Sequence, residues 1–169
     1  MLPRARHIEV QVVGAADTDG RRRSVALGDR DCSVQRRRRK MIETAPAQGL
    51  SDRLRDDLHS AATQLCARSG LRGLATVEFL VSDDTFVFLE VNPRIQVEHT
   101  VTEAVTGLDL VELSLRIARG AGADDLPLPD AVSTVGSETS GAVIATSGHA
   151  MQLRVNAETT DGTGITHPS

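Results

Sequence analysis

Residues His7 to Val13, HIEVQVV, alternate polar and apolar side chains over seven positions, the pattern of a strand with one face buried. Gly14 to Gly20, with Asp17 and Asp19, reads as its turn. Ser24–Gly28 and Cys32–Lys40 predict two short strands separated by charged turns. Ser51 is placed to cap a helix running to about Ser69, with Leu54, Leu58, Ala61 and Leu65 on one stripe and Gly70 as the stop. Ala75–Val81 and Thr85–Val91 predict a hairpin across Ser82-Asp83-Asp84. A second helix is expected from Asp109 to about Arg119, ended by Gly120. Residues 120–147 are rich in Gly, Ala, Asp, Pro, Ser and Thr without periodicity, so they read as a loop or linker with a short strand around Ala142–Ala145. His149–Glu158 alternates again: Met151, Leu153 and Val155 point one way, and Gln152, Arg154 and Asn156 the other. No internal repeat is present.

The chain has 169 residues, 40% of them apolar, and a net charge of -4, the profile of one ordinary globular domain. No run approaches the roughly 18 apolar residues of a membrane span, and no apolar signal segment follows the first charges, so a cytoplasmic location without a membrane partner is expected. Cys32 and Cys66 lack ligand spacing and read as reduced thiols, Cys32 and Met151 being core positions. The aromatics are Phe79, Phe86 and Phe88 alone, which argues against a stacking platform for single-stranded nucleic acid or sugars. Eighteen arginines accompany a single lysine, Lys40, so chemistry needing two lysines must import one. Residues 1–50 carry 11 basic and 6 acidic side chains and residues 101–169 carry 3 and 9, which suggests an anionic ligand near the front of the chain or a solvated basic face.

The most informative stretch is Phe86–His99, FVFLEVNPRIQVEH, a buried strand that places polar residues at its end. Period two puts Phe86, Phe88, Glu90 and Asn92 on one face. Glu90 and Asn92 are then hard-oxygen ligands suited to magnesium with phosphate. Glu78 interrupts the apolar pattern of the partner strand; a three- or five-residue hairpin loop puts it beside Glu90, and a two-residue turn puts it on the other side. The alternative is that both are solvent-facing acids on an edge hairpin. Beyond them Arg94, Gln96 and Glu98 alternate, a guanidinium, an amide and a carboxylate that suit a small planar oxyanion, with Glu98 as general base. Arg94 and Glu98 pairing with each other is the simpler outcome. The run Gln35–Lys40 reads as a nucleic-acid patch, a phosphate-binding strand or a solvated edge; alternation separates Arg36, Arg38 and Lys40 from Gln35, Arg37 and Arg39. Arg154 is a second anion contact, and His7 a nucleotide contact or a structural histidine. His59, on the polar side of its helix, and His167 suggest nothing.

RHIEVQV at 6–12, LGDRDCSVQRRRRK at 27–40, ATVEFL at 75–80, FLEVNPRIQVEHTVTE at 88–103 and GHAMQLRVNAE at 148–158 follow one another in an order that resembles biotin carboxylase, the ATP-grasp component of biotin-dependent acyl-CoA, pyruvate and urea carboxylases. The resemblance implies an α+β fold, the C-terminal lobe of an ATP-grasp domain, with an antiparallel sheet and packed helices, truncated at both ends. Residues 1–119 would form that lobe, 120–147 a linker, and 148–169 the strand that starts the C-terminal subdomain. The implied reaction is an ATP-dependent ligation: bicarbonate is activated as carboxyphosphate, and the carboxyl group passes to biotin on a carrier protein. Glu78, Glu90 and Asn92 would hold magnesium or manganese. His7, Gln35, Arg38, Glu78 and Glu90 would lie along ATP, with Arg38 standing where the family often has His or Asn. Lys40, Arg94, Gln96 and the Val97 backbone would bind bicarbonate, Glu98 would deprotonate it, and Arg154 would stabilise the biotin enolate, making Arg94, Glu98 and Arg154 the catalytic set. Implied partners are a biotin carboxyl carrier domain, a carboxyltransferase component and further copies of the full-length chain, with no nucleic acid. Because the implied glycine-rich lobe and its two lysines are not among these residues, the chain alone is expected to be inactive. The rival readings are an inactive remnant serving protein interaction, or a nucleic-acid module using Arg36–Lys40.

Overall fold

A computed structural model describes residues 5–37, 39–128, 133–134, 142–155, 158–160, 163 and 166–168. The alternating opening forms β1 (Arg6–Ala16). The next strand, β2 (Arg22–Arg36), is continuous where two pieces were expected. Its central charges do not make a turn because each finds a partner: Asp31 accepts from Arg6 (2.8 Å), Arg30 is paired internally with Glu9 (2.6 Å), and the Asp29 carboxylate receives the Ala47 N–H (2.7 Å). At Arg37, with φ of +52°, the chain reverses into β3 (Arg39–Ala45), so the arginine run is the tip of a hairpin and not one strand. Gln35 pairs directly with Lys40 across it. The two residues that alternation assigns to opposite faces therefore share one. Arg38 lies outside the described residues.

Helix α1 (Asp52–Ser69) has the expected caps: the Ser51 hydroxyl accepts from the Leu54 N–H (3.3 Å), and Gly70 adopts φ of +73°. Its buried stripe runs Leu54, Leu58, Ala62, Cys66, while Leu65, placed in the core by sequence, is exposed. His59 is buried and meets Asp29 Oδ2 (2.9 Å), correcting its assignment to the polar side. Arg55 also pairs with Asp29.

β4 (Gly73–Ser82) and β5 (Thr85–Asn92) form the hairpin, but its turn holds two residues, Asp83 and Asp84, in place of three. Two helices follow: α2 (His99–Thr106), which the periodicity did not predict, and α3 (Leu110–Ala118), capped by Asp109 through the Glu112 N–H (2.7 Å). The expected linker contains a short 3-10 turn at Ala123–Asp125, β6 (Ser133–Thr134) and β7 (Ala142–Val143). β8 (Ala150–Leu153), β9 (Glu158–Thr160) and β10 (Thr166–Pro168) complete the described elements.

The main sheet runs β5-β4-β1-β2-β3-β8 with every neighbour antiparallel, and β7 adds a short parallel pairing to β2. Alternation along β1 divides its two faces. Ile8, Val10 and Val12 pack with Val77, Phe79, Leu54 and Leu58 beneath α1. Val13 lies on the other face with Leu27, Leu74 and the α3 residues Leu110, Leu113 and Ile117. Each fully buried Leu or Ile contributes about 1.5–3 kcal/mol relative to exposure. Gly14 permits the turn after α1 to close on β1, since a Cβ there would stand 2.6 Å from the Leu71 carbonyl oxygen. Met151 and Leu153, read as one apolar face of a strand with Met151 in the core, are instead exposed on β8, at the end of the sheet. No helix among the described residues is long and apolar enough to cross a membrane.

Candidate active site

The polar face of the sheet, opposite α1, is built first by pairing. Glu9 stands opposite Glu78, and Glu78 opposite Glu90. With a two-residue turn an unbroken ladder would pair Glu78 with Leu89. A β-bulge between Phe88 and Glu90 corrects the parity: Phe79 pairs with Phe88, Leu89 is the extra residue, and from Glu90 onward the faces are exchanged. Glu90 and Asn92 thus join Glu78 as expected, while Phe86 and Phe88 go to the other face, where both rings meet Phe79 edge-on. The sequence expectation of one face for all four residues is corrected by that single residue.

Glu78 is the hub of this face. Its Oε1 accepts from Lys40 Nζ (3.1 Å), Asn92 Nδ2 (3.0 Å) and Gln96 Nε2 (3.2 Å). Its Oε2 lies 2.5 Å from His7 Nε2. Gln35 Nε2 donates to His7 Nδ1 (2.7 Å), which fixes the ring with its proton toward Glu78. Burial works to raise the Glu78 carboxyl, but the His7 hydrogen bond and the Lys40 charge outweigh it and hold the group at about 2. Asn92 Nδ2 also donates to Glu90 Oε1 (3.1 Å).

The three donors of Lys40 are fully used: Glu9 Oε2 (2.5 Å), Glu98 Oε1 (2.6 Å) and Glu78. Burial pulls the ammonium down, yet the carboxylates around it, Glu9 first, push it above the usual lysine value. The second oxygen of Glu98 accepts from Arg154 Nη2 (2.7 Å), so the base expected from sequence is held between two cations. It does not pair with Arg94, whose guanidinium meets the Ile95 carbonyl (3.2 Å) and Asn92 Oδ1 (3.4 Å).

Residues 93–98 are not the alternating strand that was read there. They form turns, with the His99 N–H bonded to the Gln96 carbonyl (3.1 Å), and Glu98 sits at the start of α2. Gln96 and Glu98 are buried and Val97 is exposed. An open cavity of ≈ 760 Å³ brings together His7, Lys40, Glu78, Arg94, Glu98 and Arg154, with Gln35, Glu90, Asn92, Gln96 and Val97 also on its walls. Every site residue read from sequence, Arg38 apart, therefore lines one space.

Sequence reasoning missed Glu9, Arg30 and Glu43. Glu9 and Arg30 are fully buried: Arg30 Nε donates to Glu9 Oε1 (2.6 Å), Nη1 to Gln11 (2.9 Å) and Thr102 (2.7 Å), and Nη2 to Thr76 (3.1 Å). Thr102 comes from α2, which roofs this part of the polar face. Glu43 is fully buried, with Oε1 3.0 Å from Arg154 Nη2, and its carboxyl is pushed up chiefly by burial. The signal available was register: strands that bring Lys40 to the site also bring the polar positions paired beside it.

An antiparallel sheet backed by helices presents carboxylates, Lys40 and the arginines Arg39, Arg94 and Arg154 to one open cavity, an arrangement that matches the ATP-grasp fold. Residues 1–126 match the family described as carbamoyl-phosphate synthase L chain, ATP binding domain, and the chain belongs to that family as a biotin carboxylase ATP-grasp segment. It is 45% identical over 157 residues to the biotin carboxylase of Haemophilus influenzae, covering 93% of this chain and 31% of that protein. A single-chain, multi-domain long-chain acyl-CoA carboxylase superposes with TM-score 0.89 and 60% identity over 99% of this chain and 17% of the other. The biotin carboxylase domain of a thermophilic 2-oxoglutarate carboxylase, solved with bicarbonate, gives TM-score 0.77 and 34% identity over 94% and 32% of the two chains. The chain thus spans about a third or less of the length of these relatives.

Proposed function

We propose that these residues supply the bicarbonate and metal half of a biotin carboxylase site. The observation that carries this reading is the continuous chain Glu78–Lys40–Glu98–Arg154 on the wall of one open cavity. ATP would lie along His7, Gln35, Glu78 and Glu90, with Arg38 as a further contact. Glu78, Glu90 and Asn92 fit a hard divalent cation. Asn92 already bridges the two carboxylates, and turning its amide by 180° sets Oδ1 between them in place of Nδ2. Magnesium or manganese bound there would neutralise phosphate charge.

Bicarbonate would sit against Arg94, Gln96, the Val97 backbone and Lys40. Arg94 is exposed to the cavity and offers the planar fork that an oxyanion takes. Glu98 would accept the bicarbonate proton; the freed oxygen attacks the γ-phosphorus of ATP, and ADP leaves. Glu98 is oriented for that step by Lys40 on one oxygen and Arg154 on the other. Arg154 would then steady the negative oxygen of biotin as N1 takes the carboxyl group. A biotin carrier and a carboxyltransferase are the partners this chemistry requires, in keeping with the multi-domain acyl-CoA carboxylase that the chain resembles.

Phosphoryl transfer is catalysed by positioning and charge neutralisation, and one lysine leaves the γ-phosphate held from one side. The 169 residues alone are therefore expected not to hydrolyse ATP in a biotin-dependent way. The reading is tested by placing the 157 matched residues into the Haemophilus influenzae enzyme. Bicarbonate- and biotin-dependent ATP hydrolysis by the chimera, absent from the isolated chain, supports it. A correctly folded chimera without that activity overturns it.

A further inference from the structure

Arg154 Nη2 faces two carboxylates, Glu98 Oε2 at 2.7 Å and Glu43 Oε1 at 3.0 Å. Only the first is an aligned hydrogen bond; both oxygens of Glu43, and Arg154 Nε, are buried without one. Glu43 is fully enclosed in β3, where it pairs with Gln152 of β8, and Gln152 is in turn gripped by Thr100 of α2 (2.5 Å). A carboxylate so enclosed costs free energy unless it serves a nearby cation, and removing that cation's other partner makes it the remaining anchor. Arg154 is tied by its backbone to the Met41 carbonyl (2.9 Å), which sets where the side chain starts but not where the guanidinium rests.

We propose that Glu43 is a positioning residue that holds the Arg154 guanidinium in place whenever Glu98 is neutral. The inference rests on the reading of Glu98 as a base. When Glu98 takes up a proton it loses its hold on Arg154 just before the cation is needed at biotin. Glu43, already 3.0 Å from the same nitrogen, keeps the guanidinium there without a search. Arg154 is then preorganised in both protonation states of its catalytic neighbour, at the cost of a buried acid with no aligned donor.

The side-chain Nε–H signals of the intact 169-residue chain test this by ¹⁵N relaxation, with Glu98→Gln standing in for the protonated base. Fully buried Arg30 supplies the rigid reference and exposed Arg53 the mobile one. The expected result is that Arg154 stays as rigid as Arg30 in Glu98→Gln, becomes as mobile as Arg53 in Glu98→Gln/Glu43→Gln, and is restored in Glu98→Gln/Glu43→Asp. The Arg30 signal should not move in any of these. Loss of Arg154 rigidity in Glu98→Gln with Glu43 intact overturns the proposal, even if the double variant fails to fold. Rigidity persisting in a folded double variant overturns it as well. None of these readouts uses turnover, so an inactive chimera would count against the carboxylase reading and not against this one.

Discussion

Glu78 and Glu90 stand directly opposite one another across β4 and β5, although the two-residue turn between the strands would by itself pair Glu78 with Leu89. One bulged residue therefore decides whether the sheet carries a cation site. Manganese added to the chain should relax water protons, and Glu78→Gln or Glu90→Gln should each weaken its binding about tenfold or more, roughly the 1.4 kcal/mol of one lost anionic ligand. Asp83→Asn, in the turn of the same hairpin, should leave binding unchanged. Equal loss in all three variants would mean that the acids act only through general charge.

The low Glu78 carboxyl makes stability depend on acid. Its folded value, about 2, lies below the ordinary 4.5, so it stabilises the fold fully above pH 4.5 and that contribution drains away as pH falls toward 2. Glu9, Asp29 and Asp31 are shifted in the same direction. Urea midpoints measured between pH 5 and pH 2 should fall less steeply for Glu78→Gln than for the parent chain. An identical slope would show that Glu78 is not held ionised by His7 and Lys40.

Lys40 neutralises three carboxylates at once. Lys40→Met leaves Glu9, Glu78 and Glu98 facing one another and should destabilise the fold by about 3–5 kcal/mol at neutral pH. The pH dependence should also change. With the cation gone the crowded acids have raised folded values, so acidification from pH 7 to pH 5 should stabilise this variant, while in the parent the contribution of Glu78 stays constant over that range. Urea unfolding at pH 7 and pH 5 distinguishes the two.

The elements that declared themselves in sequence were those with local punctuation. Ser51 and Gly70 mark α1, Asp109 marks α3, and the alternation of HIEVQVV marks β1. α2 escaped because five of its eight residues, HTVTEAVT, are β-branched and follow a segment that alternates by accident; its helix is held by tertiary packing of Val101 and Val105. The proposed metal ligands Glu78, Glu90 and Asn92 were legible as candidates, but their common face depends on the bulge at Leu89, which no turn-length argument contains. Glu9 fell on the polar positions of an alternating strand and Arg30 in an expected charged turn, and neither pattern shows that a helix covers that face. Lys40 was found, and the Glu9–Arg30 pair beside it was not, because a lone lysine among eighteen arginines stands out in composition while a buried Glu–Arg pair does not.

Glu98, held between Lys40 and Arg154, is the proposed base that activates bicarbonate. This role is tested most directly by Glu98→Gln in the Haemophilus influenzae chimera that carries these residues. Bicarbonate-dependent ATP hydrolysis should fall about 100-fold or more, the scale of general-base catalysis, while the KM for ATP changes by less than about threefold. Turnover within about twofold of the unsubstituted chimera, at equal protein stability, would contradict it.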